Sequence, residues 1–336
     1  MPKIVTPEIT GGIGRPLVSV IIPFLNAEKF LEEAIVSVSL QTYDNWEMLL
    51  VDDGSTDRSA DIAKEYAQQY SSKVRYLQHE RHLNRGTTVS RNLAVSLARG
   101  SYLALLDSDD VWLPDKLERQ IVVLDSQPGV AMLCGSSEYW YSWTGSPDDR
   151  TRDVVHHLGL PHNAVCPPPM MLTLSLANKA RTPCPSNILF RREVVEQIGG
   201  FEESFVGVYQ LYEDQAFLAK VALNAPIFVV NECWDRYRQH QDSCDSVVER
   251  AGLSDAARLF YLNWLMDYLT AHGVVYRDLW KVLNRELFRL RYPRLHTLQQ
   301  QARHKAGRSG QLLRSMVRRV LPLTLRRWLR AQWQNH

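Results

Sequence analysis

The stretch Tyr102-Leu-Ala-Leu-Leu106 runs directly into Asp107-Ser-Asp-Asp110, so a short apolar segment ends in three carboxylates. An apolar run of this length between polar residues predicts a buried strand. The carboxyl ends of the strands form the ligand-binding edge of an open α/β sheet. Because neighbouring carboxylates repel one another, they favour a cation between them. We therefore expect Mg²⁺ or Mn²⁺ here, hard ions that prefer oxygen ligands and that would hold a diphosphate.

Two other structures would also place aspartates in this pattern. A calcium loop of the EF-hand type begins Asp-x-Asp, and Glu118 stands at its twelfth position. That loop needs an oxygen ligand fifth and a glycine sixth, where this chain has Val111 and Trp112, so we exclude it. A solvated turn with capping aspartates stays open until the rest of the chain is considered.

The composition is that of an ordinary globular protein, with 45% hydrophobic and 23% charged residues in a chain of 336. No apolar run approaches the roughly 18–20 residues that span a bilayer. Residues 1–15 lack the apolar segment of a signal peptide. Five scattered cysteines form no Cys-x-x-Cys pair. They indicate reduced thiols rather than disulfides or a zinc site, so we expect a cytoplasmic protein.

Charge is unevenly distributed along the chain, although its sum is only +2. Residues 281–336 hold 14 Lys or Arg against one acidic residue, while the rest holds 25 basic and 36 acidic residues. Within residues 312–333, Leu, Val, Met and Trp recur at helical spacing with arginines between them. This amphipathic pattern predicts peripheral attachment to an anionic membrane surface, on the inner face of the cytoplasmic membrane. Packing on protein is the alternative, and no recognition motif supports nucleic-acid binding.

Alternating strand and helix patterns predict an α/β fold with a doubly wound, mostly parallel, Rossmann-like sheet. Strands are expected at residues 17–22, 48–51, 74–77, 102–106, 130–134 and 227–230. We expect Pro23 to stop the first strand, Asn26 to cap the following helix and Gly100 to close the helix of residues 86–99. Residues 144–185 predict loops with short helices.

Four carboxylates are expected to meet at one edge of this sheet. Asp52 and Asp53 end the second predicted strand, and Asp107 and Asp109 follow the fourth. Strand ends of a parallel sheet face one crevice, so these side chains should converge. The chain has no Gly-x-Gly-x-x-Gly after its first strand and no Gly-Lys-Ser/Thr loop. Those absences argue against dinucleotide oxidoreduction and P-loop hydrolysis.

An ordered set of motifs over about residues 16–245 resembles the family 2 glycosyltransferases, inverting enzymes with the GT-A fold. The matching segments are Val18-Ser-Val-Ile-Ile-Pro-Phe-Leu-Asn26, Ser39-Leu-Gln-Thr42, Val51-Asp-Asp-Gly-Ser-Thr-Asp57, Asn84-Arg-Gly86, Ser90-Arg-Asn92, Leu106-Asp-Ser-Asp-Asp110, Phe190-Arg-Arg192, Gly199-Gly-Phe201 and Tyr212-Glu-Asp214. The chain departs from the family at Leu25, where Tyr often stands, which weakens a stacking contact with the base.

The resemblance implies a nucleotide site. Its lining would comprise Pro23, Phe24, Leu25, Asn26, Glu28 and Ser108. Asp53 would accept a hydrogen bond from the N3–H of uracil or thymine, and Arg91 would meet the diphosphate or the base. Asp107 would touch the ribose or a metal-bound water and Asp109 would bind the metal. His240 would approach the metal or the diphosphate.

The resemblance also implies the catalytic and acceptor groups. Asp214 would be the base that deprotonates the acceptor hydroxyl, and Glu213 would orient the sugar or share that role. A base on the far side of the anomeric carbon from the leaving diphosphate inverts the centre in one displacement. The alternative for either residue is an acid that complements a helix dipole. Ser186 and Asn187 would contact sugar on the acceptor side.

These features predict a metal-dependent, inverting glycosyltransferase that uses a nucleotide sugar, with UDP as the expected nucleotide. The expected acceptor is a glycan or a lipid-linked saccharide. We assign residues 1–15 to a leader, 16–250 to the GT-A domain, with halves meeting near residue 135, and 251–336 to a helical basic region. A sugar nucleotidyltransferase and a non-catalytic glycan- or nucleotide-binding module are the alternatives. The missing Gly-rich, Lys-bearing loop counts against the first, and the pair Asp109 and Asp214 against the second.

Overall fold

A computed structural model describes residues 15–306, with side chains to residue 299, and shows a mixed α/β protein. Its strands are β1 (Val18–Phe24), β2 (Trp46–Asp52), β3 (Val74–Gln78), β4 (Tyr102–Leu105), β5 (Val111–Trp112), β6 (Met132–Trp140), β7 (Val154–His156), β8 (Ala164–Cys166), β9 (Leu189–Arg191) and β10 (Ile227–Arg238). Its helices are α1 (Leu31–Ser39), α2 (Ser59–Gln69), α3 (Thr87–Leu97), α4 (Lys116–Asp125), α5 (Met170–Leu176), α6 (Arg192–Gln197), α7 (Glu213–Asn224), α8 (Cys244–Arg250), α9 (Ser254–Ala271), α10 (Arg277–Arg291) and α11 (Pro293–Ala306).

One sheet joins all these strands, in the order β3-β2-β1-β4-β9-β6-β10-β5, with β7 on β6 and β8 on β10. The parallel arrangement predicted from the sequence holds for β3, β2, β1 and β4. Beyond β4 the sheet is mixed, because β9 runs antiparallel to both β4 and β6. Connections with helices α1 to α3 cover the first half, as parallel strands require.

The first strand continues through Pro23 instead of stopping there. The backbone polar groups of Ile21 and Pro23 face β4, and the pairing with β4 ends at Ile21 and Leu105. The missing N–H of Pro23 therefore removes no ladder hydrogen bond. This continuation carries Phe24 to the edge where β2 ends at Asp52.

Two expected helix caps are wrong. Asn26 does not cap α1, because its side-chain oxygen accepts from the backbone N–H of Thr56 (2.8 Å). The helix that Gly100 was expected to close already ends at Leu97. A Cβ on Gly100 would lie 2.6 Å from the carbonyl oxygen of Leu17. The glycine is needed for this close approach of two backbones and not as a cap.

The second half contains strands that sequence patterns missed. Strands β5, β7, β8 and β9 have only two or three residues each, too short to show a period. The last strand is much longer than the predicted 227–230, because it bends through register shifts between Val229 and Arg236 and pairs with β6, β8 and β5 in turn. Polar residues in its outer half hid this extension.

By its internal contacts the chain divides into two compact units, residues 1–283 and 284–336. Helices α8 and α9 belong to the first unit together with the sheet. The expected helical character after residue 252 is confirmed through residue 306. Among the helices described, none is both long enough and apolar enough to cross a membrane. The predicted amphipathic segment at 312–333 and the leader at 1–14 lie outside the described residues.

Candidate active site

A cavity of about 460 Å³ opens at the carboxyl ends of β1, β2 and β4. The nucleotide-side residues predicted from the sequence that line it are Pro23, Phe24, Leu25, Asp53, Arg91, Asp107, Ser108 and Asp109. Both predicted catalytic acids, Glu213 and Asp214, line it as well. The chain order of the strands reverses between β1 and β4, and such a switch point leaves a crevice beyond the strand ends.

Arg91 joins the two groups of acids. It projects from α3, its side chain is 2% exposed, and its two terminal nitrogens pair with Asp107 (2.7 Å) and with Glu213. Burial lowers the pKa of the guanidinium, but the two carboxylates raise it further, so it is charged at all relevant pH values. The guanidinium predicted to meet diphosphate or base is therefore already committed to two carboxylates.

Residues of β10 and of the loop that follows β10 hold Asp109 in place. His240 lies within hydrogen-bond distance of its carboxylate (Nε2 to Oδ2, 2.9 Å). Arg238 donates to its backbone carbonyl (2.6 Å). The ring of His240 packs against Phe30, with centroids 4.9 Å apart, and its Nδ1 is buried without a partner among the described residues. His240 does not itself line the cavity, so its expected approach to the metal or the diphosphate stays a prediction.

Three carboxyl groups of the cavity, those of Asp107, Glu213 and Asp214, are protonated more readily than free ones. Burial and then the neighbouring Glu213 raise the pKa of Asp214 to about 7. Burial raises the pKa of Glu213 and of Asp107, although Arg91 opposes the shift in both. A carboxylate with a pKa near neutrality is suited to general base catalysis, since it can both accept and release a proton.

Asp53 lies at the far end of the cavity beside the loop that precedes α3. Its two oxygens accept from the backbone N–H groups of Arg85 (2.8 Å) and Gly86 (2.9 and 3.0 Å). The Nε2 of His79 lies 3.4 Å away. These donors fix the carboxylate in one orientation at the cavity wall.

Three residues that the sequence predicted for this site lie outside the cavity. Asp52 is fully buried and accepts from Ser55 and Tyr76, with His82 2.8 Å away, because it points to the other side of the strand from Asp53. Asn26 and Glu28 do not line the cavity. They instead accept from the backbone N–H groups of Thr56 and Arg58 in the loop after β2. The expected convergence of four carboxylates is thus limited to three.

Neither Ser186 nor Asn187 lines the cavity, so the structure does not support their predicted contact with sugar. Both are fully buried. Ser186 donates to Asp110 (2.6 Å), and Asn187 donates to the carbonyl of Ser136 (3.0 Å). They connect β9 to its neighbours, and the preceding segment, Thr182 to Pro185, forms the wall instead.

Sequence reasoning missed the wall on the β6 side. The residues there are Ser137, Tyr139, His156, Leu158, Arg181 and Tyr237. They come from β6, β7, β10 and two loops, and no local motif connects them. Gln210, which accepts from Thr87 across the cavity (3.1 Å), was missed for the same reason.

Helix α9 supports the segment that carries the catalytic acids. The ring of Tyr261 stacks on Tyr212 at 5.5 Å, directly before Glu213. Arg258 donates to the side chain of Gln215 (2.9 Å), directly after Asp214. These contacts fix both ends of the acidic pair, which explains why a helix outside the matching motifs belongs to the same unit.

The residues present are compatible with a divalent metal, although no three His, Cys, Asp or Glu of the described chain form a ready-made metal cluster. Asp107 and Asp109 each keep one oxygen without a protein hydrogen bond in that part of the chain. Mg²⁺ is commonly held by one or two carboxylates together with substrate phosphates. Two such carboxylates on an open cavity match that pattern.

The model of the family described as "Glycosyl transferase family 2" matches residues 19–199. The chain therefore belongs to glycosyl transferase family 2, which confirms the resemblance seen in the sequence. The matched segment carries β1 to β4 and the aspartates that follow them. Family membership favours glycosyl transfer over the two alternatives left open above.

A relative of assigned activity is the UDP-Glc:alpha-D-GlcNAc-diphosphoundecaprenol beta-1,3-glucosyltransferase WfgD of Escherichia coli. It is 41% identical over 108 residues, which is 32% of this chain and 41% of WfgD. The matches to four curated relatives, WfgD among them, span only 39% to 43% of the length of those relatives. The similarity is concentrated in part of each protein.

Two solved structures share the fold. The mannosyltransferase PcManGT of Pyrobaculum calidifontis, solved with GDP-Man and Mn²⁺, matches with a TM-score of 0.58 and 19% identity over 98% of this chain and 86% of that one. S. aureus TarS 1-349 matches with a TM-score of 0.54 and 20% identity over 89% and 76%. The predicted α/β fold of the GT-A class is thereby confirmed.

Replacing Arg91 with Met should destabilise the protein by about 3–5 kcal/mol near neutral pH, because buried Glu213 and partly buried Asp107 lose their counter-charge. Burial already raises both pKa values, and loss of the arginine raises them further. A raised native pKa costs stability above the unfolded value of about 4. The loss should therefore grow as the pH rises, which urea unfolding at about pH 5 and about pH 8 measures.

The matched control is Arg85→Met, in the exposed loop before the same helix. It should change stability by no more than about 0.5 kcal/mol at either pH. Equal stability of Arg91→Met and the wild-type protein at both pH values would contradict the central role of the ion pairs.

Proposed function

We propose that this protein is an inverting glycosyltransferase that moves a sugar from a nucleotide sugar, with UDP as the nucleotide, to a hydroxyl of a glycan or lipid-linked acceptor. One observation carries the proposal. A family 2 chain places Asp107 and Asp109, with free oxygens, and Asp214, with a pKa of about 7, on one cavity. Diphosphate recognition and base catalysis need these two kinds of carboxylate in one place.

The nucleotide occupies the end of the cavity between Asp53 and Asp107 in this proposal. Pro23, Phe24 and Leu25 offer an apolar floor at the end of β1, and Asp53 is the acceptor nearest to it. A carboxylate oriented by two backbone N–H groups can accept a further hydrogen bond from a base N–H. That S. aureus TarS was solved with UDP, and that WfgD acts on UDP-Glc, supports UDP.

Asp214 is the base in the proposed mechanism. The acceptor hydroxyl gives its proton to Asp214 while its oxygen attacks the anomeric carbon from the side opposite to the diphosphate, so the centre inverts. Glu213 is paired with Arg91, and the negative charge of Glu213 helps to raise the pKa of its neighbour Asp214, although Arg91 opposes that shift. A divalent ion at Asp107 and Asp109 would neutralise the charge that develops on the departing nucleoside diphosphate.

Peripheral membrane attachment belongs to the same proposal and rests on the sequence alone. The basic, amphipathic residues 312–333 would hold the enzyme at an anionic surface, where a lipid-linked acceptor is present. The named acceptor of WfgD, a diphosphoundecaprenol saccharide, supports an acceptor of this class.

Nucleotide binding should depend on the metal. In calorimetry, UDP should bind the wild-type protein in Mn²⁺ or Mg²⁺ and should bind at least about tenfold more weakly with EDTA, because two carboxylates otherwise repel the diphosphate. Asp109→Ala should lose the metal-dependent part. The exposed Asp115→Ala, which does not line the cavity, is the control and should bind like the wild type. Equal affinity with and without metal would count against the assignment.

Asp214→Asn should keep UDP binding while transfer or slow donor hydrolysis falls by about 10²–10⁴-fold, because the base is lost. The wild-type rate should fall as the pH drops below about 7, where Asp214 becomes protonated. Mass spectrometry of reactions with a panel of nucleotide sugars measures both effects. The exposed Asp242→Asn should leave the rate unchanged. Normal turnover by Asp214→Asn would make Glu213 the candidate base.

Truncation after Lys305 should abolish cosedimentation with anionic liposomes while UDP binding is retained. Charge attraction is screened by salt, so binding of the full chain should also weaken at high ionic strength. Neutral liposomes are the control. A full chain that ignores anionic liposomes would remove the membrane part of the proposal alone.

A further inference from the structure

The wall of the cavity on the β6 side carries a cation that the proposed chemistry leaves unused. Arg181 lines the cavity, and its guanidinium makes no hydrogen bond or ion pair within the described part of the chain. Its neighbours on this wall are Tyr139 and His156, whose rings meet edge to face at 4.4 Å. Burial lowers the pKa of His156, and Arg181 lowers it further, so the ring is neutral at pH 7.

The charge balance of the cavity isolates this arginine. The acidic residues of the lining are Asp53, Asp107, Asp109, Glu213, Asp214 and Asp245. Only two arginines and no lysine join them there. Arg91 is 2% exposed and bound to two carboxylates, whereas Arg181 is exposed and unpaired. Among the described lining residues, Arg181 is thus the positive charge that remains free to meet a ligand.

The backbone around Arg181 is fixed. Its N–H donates to the carbonyl of Leu158 (2.8 Å), which ties its loop to the loop after β7. Gly159, at φ +72°, lets that loop approach closely, since a Cβ there would lie 3.1 Å from the carbonyl of Lys179. Pro183 follows two residues later and restricts the chain further. This support holds the backbone of Arg181 at the cavity wall, so binding restricts only its side chain.

The position of this wall separates it from the proposed nucleotide end. Asp53 follows β2, while Tyr139 lies next to the end of β6 and His156 ends β7, which pairs with β6. In the sheet order, β1, β4 and β9 lie between β2 and β6. Asp107, which follows β4, therefore lies between the nucleotide end and this wall. Arg181 and Asp214 line the same cavity, so a single acceptor has both groups within one site.

We propose that the acceptor carries an anionic group, a phosphate ester or a carboxylate, which Arg181 binds while the acceptor hydroxyl meets Asp214. The inference rests on the proposed function and names the acceptor class that it leaves open. Guanidinium groups bind both anions through paired N–H donors, and neutral His156 adds a further hydrogen-bonding group. The six carboxylates of the cavity repel an anion. An anionic group is therefore favoured only at the wall that carries the unpaired Arg181.

Three compounds related to glucose, two anionic and one neutral, test the assignment. They are added to the full chain saturated with UDP and Mn²⁺. The probes are α-glucose 1-phosphate, methyl α-glucuronide and neutral methyl α-glucoside, titrated by calorimetry or by ligand-observed NMR. At least one anionic probe should bind roughly tenfold or more tightly than the neutral one, as a charge-assisted hydrogen bond provides. Preference for the phosphate or for the glucuronide tells the two sources of the anion apart.

Variants connect the preference to the residue. Arg181→Ala should bind the three probes alike, Arg181→Lys should regain part of the preference, and all variants should bind UDP like the wild type. Lys179→Ala, an exposed cation of the same loop that does not line the cavity, should keep the full preference.

Two results would overturn the inference while leaving the proposed function intact. One is a UDP-bound wild-type protein that binds all three probes alike, and the other is an anion preference that survives Arg181→Ala. Failure of the wild-type protein to bind UDP would instead contradict the proposed function, and this inference with it.

Discussion

The pairing of Arg91 with Asp107 and Glu213 is the interaction on which the rest of the site depends. The two carboxylates come from opposite halves of the domain, one after β4 and one at the start of α7. Each is buried enough to have a raised pKa, and neither would tolerate the other without the cation between them. A single guanidinium therefore holds the nucleotide side and the catalytic side of the cavity at a fixed separation.

This constraint explains the different roles proposed for two adjacent acids. Glu213 forms an ion pair with Arg91, whereas Asp214 has no such pair, and burial and then the charge of Glu213 raise its pKa against a smaller opposing effect of Arg91. Its pKa of about 7 follows from that asymmetry. Helix α9 maintains it, because Tyr261 and Arg258 fix the residues on either side of the pair. The raised pKa of Asp214, which suits it to the proposed role of base, is thus a consequence of packing around the cavity.

The mixed sheet gives the cavity two chemically different ends. The parallel half supplies backbone-anchored Asp53 and the metal-compatible Asp107 and Asp109. The antiparallel additions bring Tyr139, His156 and Arg181 to the opposite wall. Strand β9 connects the halves, with buried Ser186 and Asn187 bonded to groups on both sides. Two residues expected to touch sugar are therefore structural, because the sheet needs its polar groups satisfied at this junction.

Much of the parallel half follows from the sequence, since long apolar strands and amphipathic helices are local patterns that burial enforces. The aspartates after β2 and β4 were predictable for the same reason, as was their position at one edge. Which of Asp52 and Asp53 faces the cavity was not, because neighbouring strand residues point to opposite sides and the motif contains both.

The sequence by itself determined the α/β class, the edge at which the carboxylates gather and the family. Only the tertiary structure decided that Arg91 bridges Asp107 and Glu213, that Asn26 and Glu28 point away, and that Arg181 stands unpaired on the far wall. The physical reason is distance along the chain. Periodicity reports which face of an element is buried, but contacts between separate elements depend on how short strands and loops pack, and these carry no period of their own. The two partners of Arg91, for example, lie 16 and 122 positions away in the chain.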